Sequence, residues 1–261
     1  MKAAPILLPA SILLFSASLI PLRAGTAVSL PASPSNPALS RIPAVLTDSE
    51  SLQADLLQAA PTMRPQALRA ALAAWDELQA KGEISRPILS VIDYGLSSTS
   101  RRMWVFDLDS RRLLFHELVA HGKNSGEDLA VHFSNEEGSL MTSLGAFVTG
   151  TTYNGKNGYS LRLRGMEPGR NDRAEERTIV VHGAPYVGDE VAEKLGRLGR
   201  SWGCPALRPA IARTLIDEVK DRTLLYAYHP SLDVPHTPAA ATPAIAGGAS
   251  SPAGGPSRAT R

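Results

Sequence analysis

A mainly β domain, sandwich- or barrel-like with peripheral α-helices, is what this sequence predicts, and three observations predict it. Short β-branched and aromatic runs recur between residues 88 and 229, separated by turn residues. Two of these runs flank Asn154-Gly155-Lys156-Asn157-Gly158, a strong hairpin signal. Helical periodicity is confined to a block before residue 82 and to stretches inserted late among the strands.

Taken in order, residues 48–60, "DSESLQADLLQAA", read as a short helix. A longer one follows in "RPQALRAALAAWDELQAKG", where Leu68, Leu72, Trp75 and Leu78 share a face and Gly82 supplies the stop. That stripe has the spacing of core packing. "PILSVIDYG", "RRMWVFDLD" and "RRLLFHELVAHG" are β-rich, and an Asp-Ser turn joins the second to the third as a hairpin. "LGAFVTGTTY" and "YSLRLRGM" form the next hairpin, and "RTIVVHG" a further strand. "DEVAEKLGRLG" reads as a short helix with Val191, Leu195 and Leu198 on one side. In "RPAIARTLIDEVKDRT", Pro209 opens a better helix whose core face is Ile211, Leu215, Ile216 and Val219. "LLYAYH" closes the sheet.

The chain has 261 residues, a formal net charge of +2 and 43% hydrophobic residues. That suits one generous domain with tails, and the balanced charge gives no general case for nucleic-acid binding. Residues 1–27 read as an export signal: Lys2, then the apolar stretch Ala10–Ile20 between Pro9 and Pro21, then small residues around Ala24 and Ala27. The apolar run is short for a membrane span, so contact with the membrane is expected only during export. Residues 28–47 are Pro/Ser-rich and read as a linker, 48–87 as a helical segment, 88–230 as the β-rich domain, and 231–261 as a disordered Pro/Ala/Gly-rich tail. An exported, monomeric protein of the periplasm or cell wall is expected.

Export into an oxidising space makes the cysteine content informative. The chain has one cysteine, Cys204, so no internal disulfide is possible. It stands in "RSWGCPALRP", a glycine- and proline-braced turn among arginines, downstream of a strand that ends in His182-Gly183. A cysteine nucleophile needs a base for its proton and donors for an oxyanion. His182 could project from the sheet rim as the base. Gly203 permits close backbone approach, and since Pro205 lacks an N–H the candidate oxyanion donors are the amides of Cys204, Gly203 and Trp202. Arg197, Arg200 and Arg208 would lower the thiol pKa, or bind substrate carboxylates. The bland alternative is a buried cysteine and a satisfied strand-end histidine.

With these residues in view, "VVHGAPY" followed by "SWGCPAL" resembles the His-Gly … Ser-x-Gly-Cys signature of the YkuD-like L,D-transpeptidases, closest to their divergent murein L,D-transpeptidase catalytic-domain branch. "TSLGAF" is similar to that family's Thr-x-x-Gly-x-Phe element, here Thr142, Gly145 and Phe147. The resemblance spans about Ile88 to Tyr228. It implies a mostly β catalytic fold and attack on the bond between the diamino third residue and terminal D-Ala of a peptidoglycan stem. It further implies a thioester that passes the acyl group to an amine on another stem. By that resemblance Cys204 is the nucleophile and His182 the base, Gly203 and Ser201 shape the turn, and no cofactor is required. The chain departs from the common motif in having Trp202 where the family has histidine, and Ala206 where it has arginine.

Water as acceptor would make the same pair an L,D-carboxypeptidase or amide hydrolase, and a buried thiol would leave a non-catalytic wall-binding module. Residues 118–140 form a long polar, glycine-rich stretch holding His121, Asn124, Ser125, His132, Ser134 and Asn135, read as a lip of the substrate cleft, with a solvated surface loop as the equal alternative. His121 is taken with Arg200, Arg208 and Gly183 as substrate-binding. The histidine and cysteine spacings match no tight zinc pattern, so no metal is expected.

Overall fold

The computed structural model describes residues 47–233. The segment read as an export signal, all but the last residue of the segment read as a linker, and residues 234–261 lie outside the described residues. Two helices open the described chain, α1 (Asp48–Ala59) and α2 (Pro65–Ala80). Thr47, assigned to the linker from composition, is the N-cap of α1: its hydroxyl accepts from the Glu50 amide while the Glu50 carboxylate accepts from the Thr47 amide. This reciprocal capping box satisfies two otherwise orphaned donors. Pro65 starts α2, and Gly82, at φ 70°, ends it.

Nine strands follow: β1 (Ile88–Asp93), β2 (Met103–Asp107), β3 (Arg112–Glu117), β4 (Val119–Ala120), β5 (Gly145–Gly155), β6 (Gly158–Gly165), β7 (Val180–Gly183), β8 (Ala206–Leu207) and β9 (Leu224–Tyr228). They form one sheet in the order β3-β2-β1-β9-β5-β6-β7-β8-β4. Its two edges, β3 and β4, are separated in the chain by Leu118 alone, so the ends of the sheet are brought together in a nearly closed barrel. Both expected hairpins form, β2–β3 and β5–β6, the latter turning at Gly155 and Gly158. The two-residue β8 was not anticipated; parallel to β7, it places Ala206 beside His182.

Alternation along the strands divides the core in two. Ile88, Ile92, Met103, Val105, Phe147, Leu225 and Ala227 point to one side, where α4 (Pro209–Val219) adds Ala212, Leu215, Ile216 and Val219. Leu89, Val91, Trp104, Phe106, Val148, Leu224 and Tyr226 point to the other, under Leu68, Leu72, Trp75 and Leu78 of α2. An ion pair at 2.8 Å between Arg64, just before α2, and the fully buried Asp93 at the end of β1 ties the helices to the sheet.

Two local expectations are corrected. α3 (Asp189–Leu195) buries no residue: Leu195 is exposed, and Leu198, which is buried, lies beyond the helix because Gly196 ends it in the left-handed region at φ 67°. At the other end, residues 231–233, counted with the tail, are ordered. Pro230–Leu232 is a 3-10 turn, and the Tyr228 hydroxyl donates to Asp233.

Candidate active site

His182 is the penultimate residue of β7, paired with Ser160 of β6 on one side and Ala206 of β8 on the other. Its Nδ1 lies 2.9 Å from the carbonyl oxygen of Gly183. A carbonyl can only accept, so Nδ1 carries the proton and Nε2 keeps its lone pair. Burial lowers the pKa of His182, partly offset by this hydrogen bond, which keeps the ring neutral near pH 7. The group that orients His182 is therefore the backbone of the next residue. Gly183 itself has no room for a side chain at ordinary distances, since a Cβ would stand 3.0 Å from the Ala212 methyl.

Cys204 precedes β8 by one residue, Pro205, so the pairing of β8 with β7 brings the thiol to the His182 end of the sheet. Its side chain is buried, with Sγ 3.8 Å from the Thr178 carbonyl oxygen. Burial pushes the thiol pKa up, while the Val180 N–H and the Arg177 guanidinium draw it down. In this structure the thiol donates to Thr178; no hydrogen bond joins it to His182 among the described residues.

The turn before Cys204 is braced from within. Ser201 Oγ donates to the Cys204 carbonyl at 2.6 Å and accepts the Gly203 N–H at 3.1 Å. Gly203 has φ 121°, and a Cβ there would lie 2.7 Å from the Met141 carbonyl oxygen, 3.0 Å from Ile179 Cδ1 and 3.3 Å from an Arg177 nitrogen. Only glycine fits. Because the Gly203 amide is committed to Ser201, the oxyanion donors narrow to Cys204 and Trp202, whose amides have no partner among the described residues.

A cleft of about 800 Å³ opens over the thiol. His182, Cys204, Ser201, Trp202 and Arg200 line it, with Thr178, Val180, Arg177 and Tyr186 around them and Tyr153, Lys156 and Asn157 from the β5–β6 hairpin. Trp202 is 72% exposed at the mouth, with the Lys156 ammonium 5.7 Å above its ring. Glu137, Gly138 and Leu140 form one lip, so the far end of the long polar stretch reaches the cleft as read from the sequence.

The rest of that stretch backs the turn. His121 is buried and does not line the cleft, which corrects its assignment to substrate binding. Its Nδ1 accepts from Arg102 at 2.8 Å, and its Nε2 donates to the Gly126 carbonyl at 3.3 Å. Burial, and then the Arg102 charge, push its pKa down to about 4. The His121 carbonyl accepts the Ser201 amide at 2.9 Å, and Gly122 bridges to Ser201, so this network positions the cysteine turn from behind. Thr142 belongs to the same scaffold, its hydroxyl accepting from the Gly122 amide, and Phe147 sits in the core.

Arg208 is also reassigned. It makes a forked ion pair with Glu117, at 2.7 to 2.9 Å, and lies outside the cleft lining. Arg197 and Arg200 both pair with Glu127, although Arg200 still borders the cleft. A further cation bordering the cleft is Arg177, which the sequence reading passed over although it opens the "RTIVVHG" segment itself. Among the described residues no three His, Cys, Asp or Glu side chains cluster as metal ligands would.

The fold and the site define a barrel-like β domain with one thiol and one imidazole lining a shared cleft. Residues 59–228 match the family described as L,D-transpeptidase catalytic domain, about two-thirds of the chain, and the protein belongs to that family. Among solved structures it is similar to an L,D-transpeptidase from Mycobacterium smegmatis, at 16% identity and TM-score 0.33, over 54% of this chain and 58% of that one. It is also similar to the helical cell shape determining protein of Campylobacter jejuni, at 14% identity and TM-score 0.37, over 60% of this chain and 56% of that one. The chain thus spans a little over half of each. No curated protein sequence matches it.

Proposed function

We propose that this protein is an exported cysteine acyltransferase that carries out L,D-transpeptidation on peptidoglycan stem peptides, through a thioester on Cys204. The observation that carries the reading is the placement of Cys204 and His182 in one cleft of about 800 Å³, with the Nε2 lone pair of a neutral His182 left free by the Gly183 carbonyl. Geometry of this kind supports proton transfer from the thiol to Nε2 as sulfur attacks the carbonyl of the third stem residue. The resting thiol must leave the Thr178 carbonyl for this.

The amides of Cys204 and Trp202 are the donors available to the oxyanion. Collapse expels D-Ala, whose amine takes the proton held by His182. An acceptor amine from another stem then attacks the thioester and gives its own proton to the same Nε2; the C–S bond breaks, and the released Cys204 thiolate takes that proton back. The exposed Trp202 and the Lys156–Trp202 contact at the mouth provide a surface along which the second stem can lie. Export is proposed from the N-terminal segment read above.

Incubation of purified protein with tetrapeptide muropeptides, followed by mass spectrometry, tests this. Loss of D-Ala with new cross-linked dimers is expected. Loss of D-Ala without dimers would assign water as the acceptor, and an unchanged substrate would sink the acyl-transfer reading.

A further inference from the structure

Arg177 is unusual among the cations around the cysteine turn. Arg197 and Arg200 pair with Glu127, Arg208 with Glu117, and Arg173 with Glu136 and Glu176. Arg177 has no carboxylate within ion-pair distance among the described residues. Its donors go to neutral acceptors: the Ser134 carbonyl at 2.7 Å, the Met141 carbonyl at 2.6 Å, Ser139 Oγ at 3.2 Å, and Ser143 Oγ. It is half-buried and lines the cleft, with one nitrogen 3.3 Å from where a Cβ on Gly203 would stand.

A partly desolvated guanidinium without a counter-ion is costly unless a negative charge forms beside it. The thiol of Cys204, in the same cleft and next to the Gly203 position that Arg177 faces, can supply one. We propose that Arg177 is the counter-charge to the thiolate of Cys204, and that by holding the Met141 carbonyl it fixes the wall against which the Gly203 turn packs. It is a positioning and electrostatic residue standing beside the nucleophile, and the neutral bonds to Ser134, Ser139, Met141 and Ser143 aim it there without cancelling its charge. The inference deepens the acyl-transfer reading and rests on its choice of Cys204 as the nucleophile.

Other groups facing this pair have different duties. Glu136 and Arg173 act on Arg177 from the loop side with opposite signs. The Tyr94 and Tyr186 hydroxyls, both near enough to feel the thiolate, are pushed up by burial, Tyr186 to about 12, and stay neutral through the range in which a thiol titrates. His182 is held down by its own burial, and Glu137, Glu176 and Lys156 line the same cleft.

The test reads the thiol directly and needs no wall substrate, so it can fail while transpeptidation succeeds, and the reverse. The rate of Cys204 alkylation by iodoacetamide is measured against pH for wild type, Arg177→Gln and Arg177→Lys. Loss of one adjacent opposite charge should move the Arg177→Gln midpoint up by about one pH unit, and slow alkylation about tenfold on the acid side. Arg177→Lys should restore most of that shift. A merely structural role would lower thermal stability in both variants and leave the midpoint where it is. Should Arg177→Gln fail to fold, NMR of the wild type decides: the Arg177 guanidinium resonances should move with the titration of Cys204 Cβ. An unmoved midpoint in a folded Arg177→Gln protein, or guanidinium resonances indifferent to the thiol titration, would overturn the proposal.

Discussion

Gly203→Ala is the sharpest probe of how this fold holds the turn of Cys204. At φ 121° an alanine is strained wherever it is placed, and the added methyl would sit 2.7 Å from the Met141 carbonyl oxygen. That oxygen cannot yield cheaply, because it accepts from Arg177, nor can the turn, because Ser201 ties Gly203 to Cys204. Backbone strain and overpacking each cost roughly 1–3 kcal/mol, so a total of about 3 kcal/mol is expected. For a domain of this size that is a fall in Tm of roughly 6–12 °C. Relief comes most readily by displacing the turn, which carries Cys204 away from Val180 and Arg177. Differential scanning calorimetry and the iodoacetamide profile should therefore change together. A Gly203→Ala protein with wild-type Tm and wild-type alkylation would refute the reasoning, since it would mean that the turn tolerates a side chain where the geometry leaves none.

The remaining predictions concern the chemistry and the scaffold. Cys204→Ala should abolish muropeptide turnover while circular dichroism stays native. Residual activity would remove the thioester. His182→Ala should lower turnover by roughly a hundredfold or more, the usual scale for a lost general base, and a loss under threefold would exclude it from proton transfer. Stability should fall on acidification: His121 is held near 4 in the fold against an ordinary value near 6.5, so its contribution is fully present above pH 6.5 and is lost as pH falls toward 4, by up to about 3 kcal/mol. Urea unfolding at pH 7 and pH 4.5 should show a smaller difference in a His121→Gln variant than in wild type; an equal difference would assign the acid sensitivity elsewhere. Finally, Arg64→Ala should destabilise by a few kcal/mol, because it leaves the buried Asp93 carboxylate without its counter-ion where the helices meet the sheet. Unchanged urea unfolding would show that this ion pair contributes nothing.

Much of this protein is determined by patterns that act over a few residues. The heptad-like stripe of Leu68, Leu72, Trp75 and Leu78, the hairpin at Asn154–Gly158 and the helix face around Leu215 depend on local periods of 3.6 and 2, and all are found where the sequence puts them. The capping box at Thr47 and Glu50 was equally legible from its spacing, although composition had drawn Thr47 into the linker. Cys204, His182 and Trp202 were legible as lining one site because a strand end and a glycine turn are local features. Which charges surround them was decided only by the tertiary structure. Arg197, Arg200 and Arg208 are close to Cys204 in the chain, yet each is drawn to a carboxylate, Glu127 or Glu117, from a distant segment. Arg177, 27 positions away, reaches the turn because β8 pairs with β7 and carries Cys204 back over the start of that strand. His121 was read as a ligand from its polar neighbours, but the closing of the sheet between β3 and β4 buries it against Arg102. Charge falls off with distance through space and not along the chain, so partners of this kind are set by the sheet order.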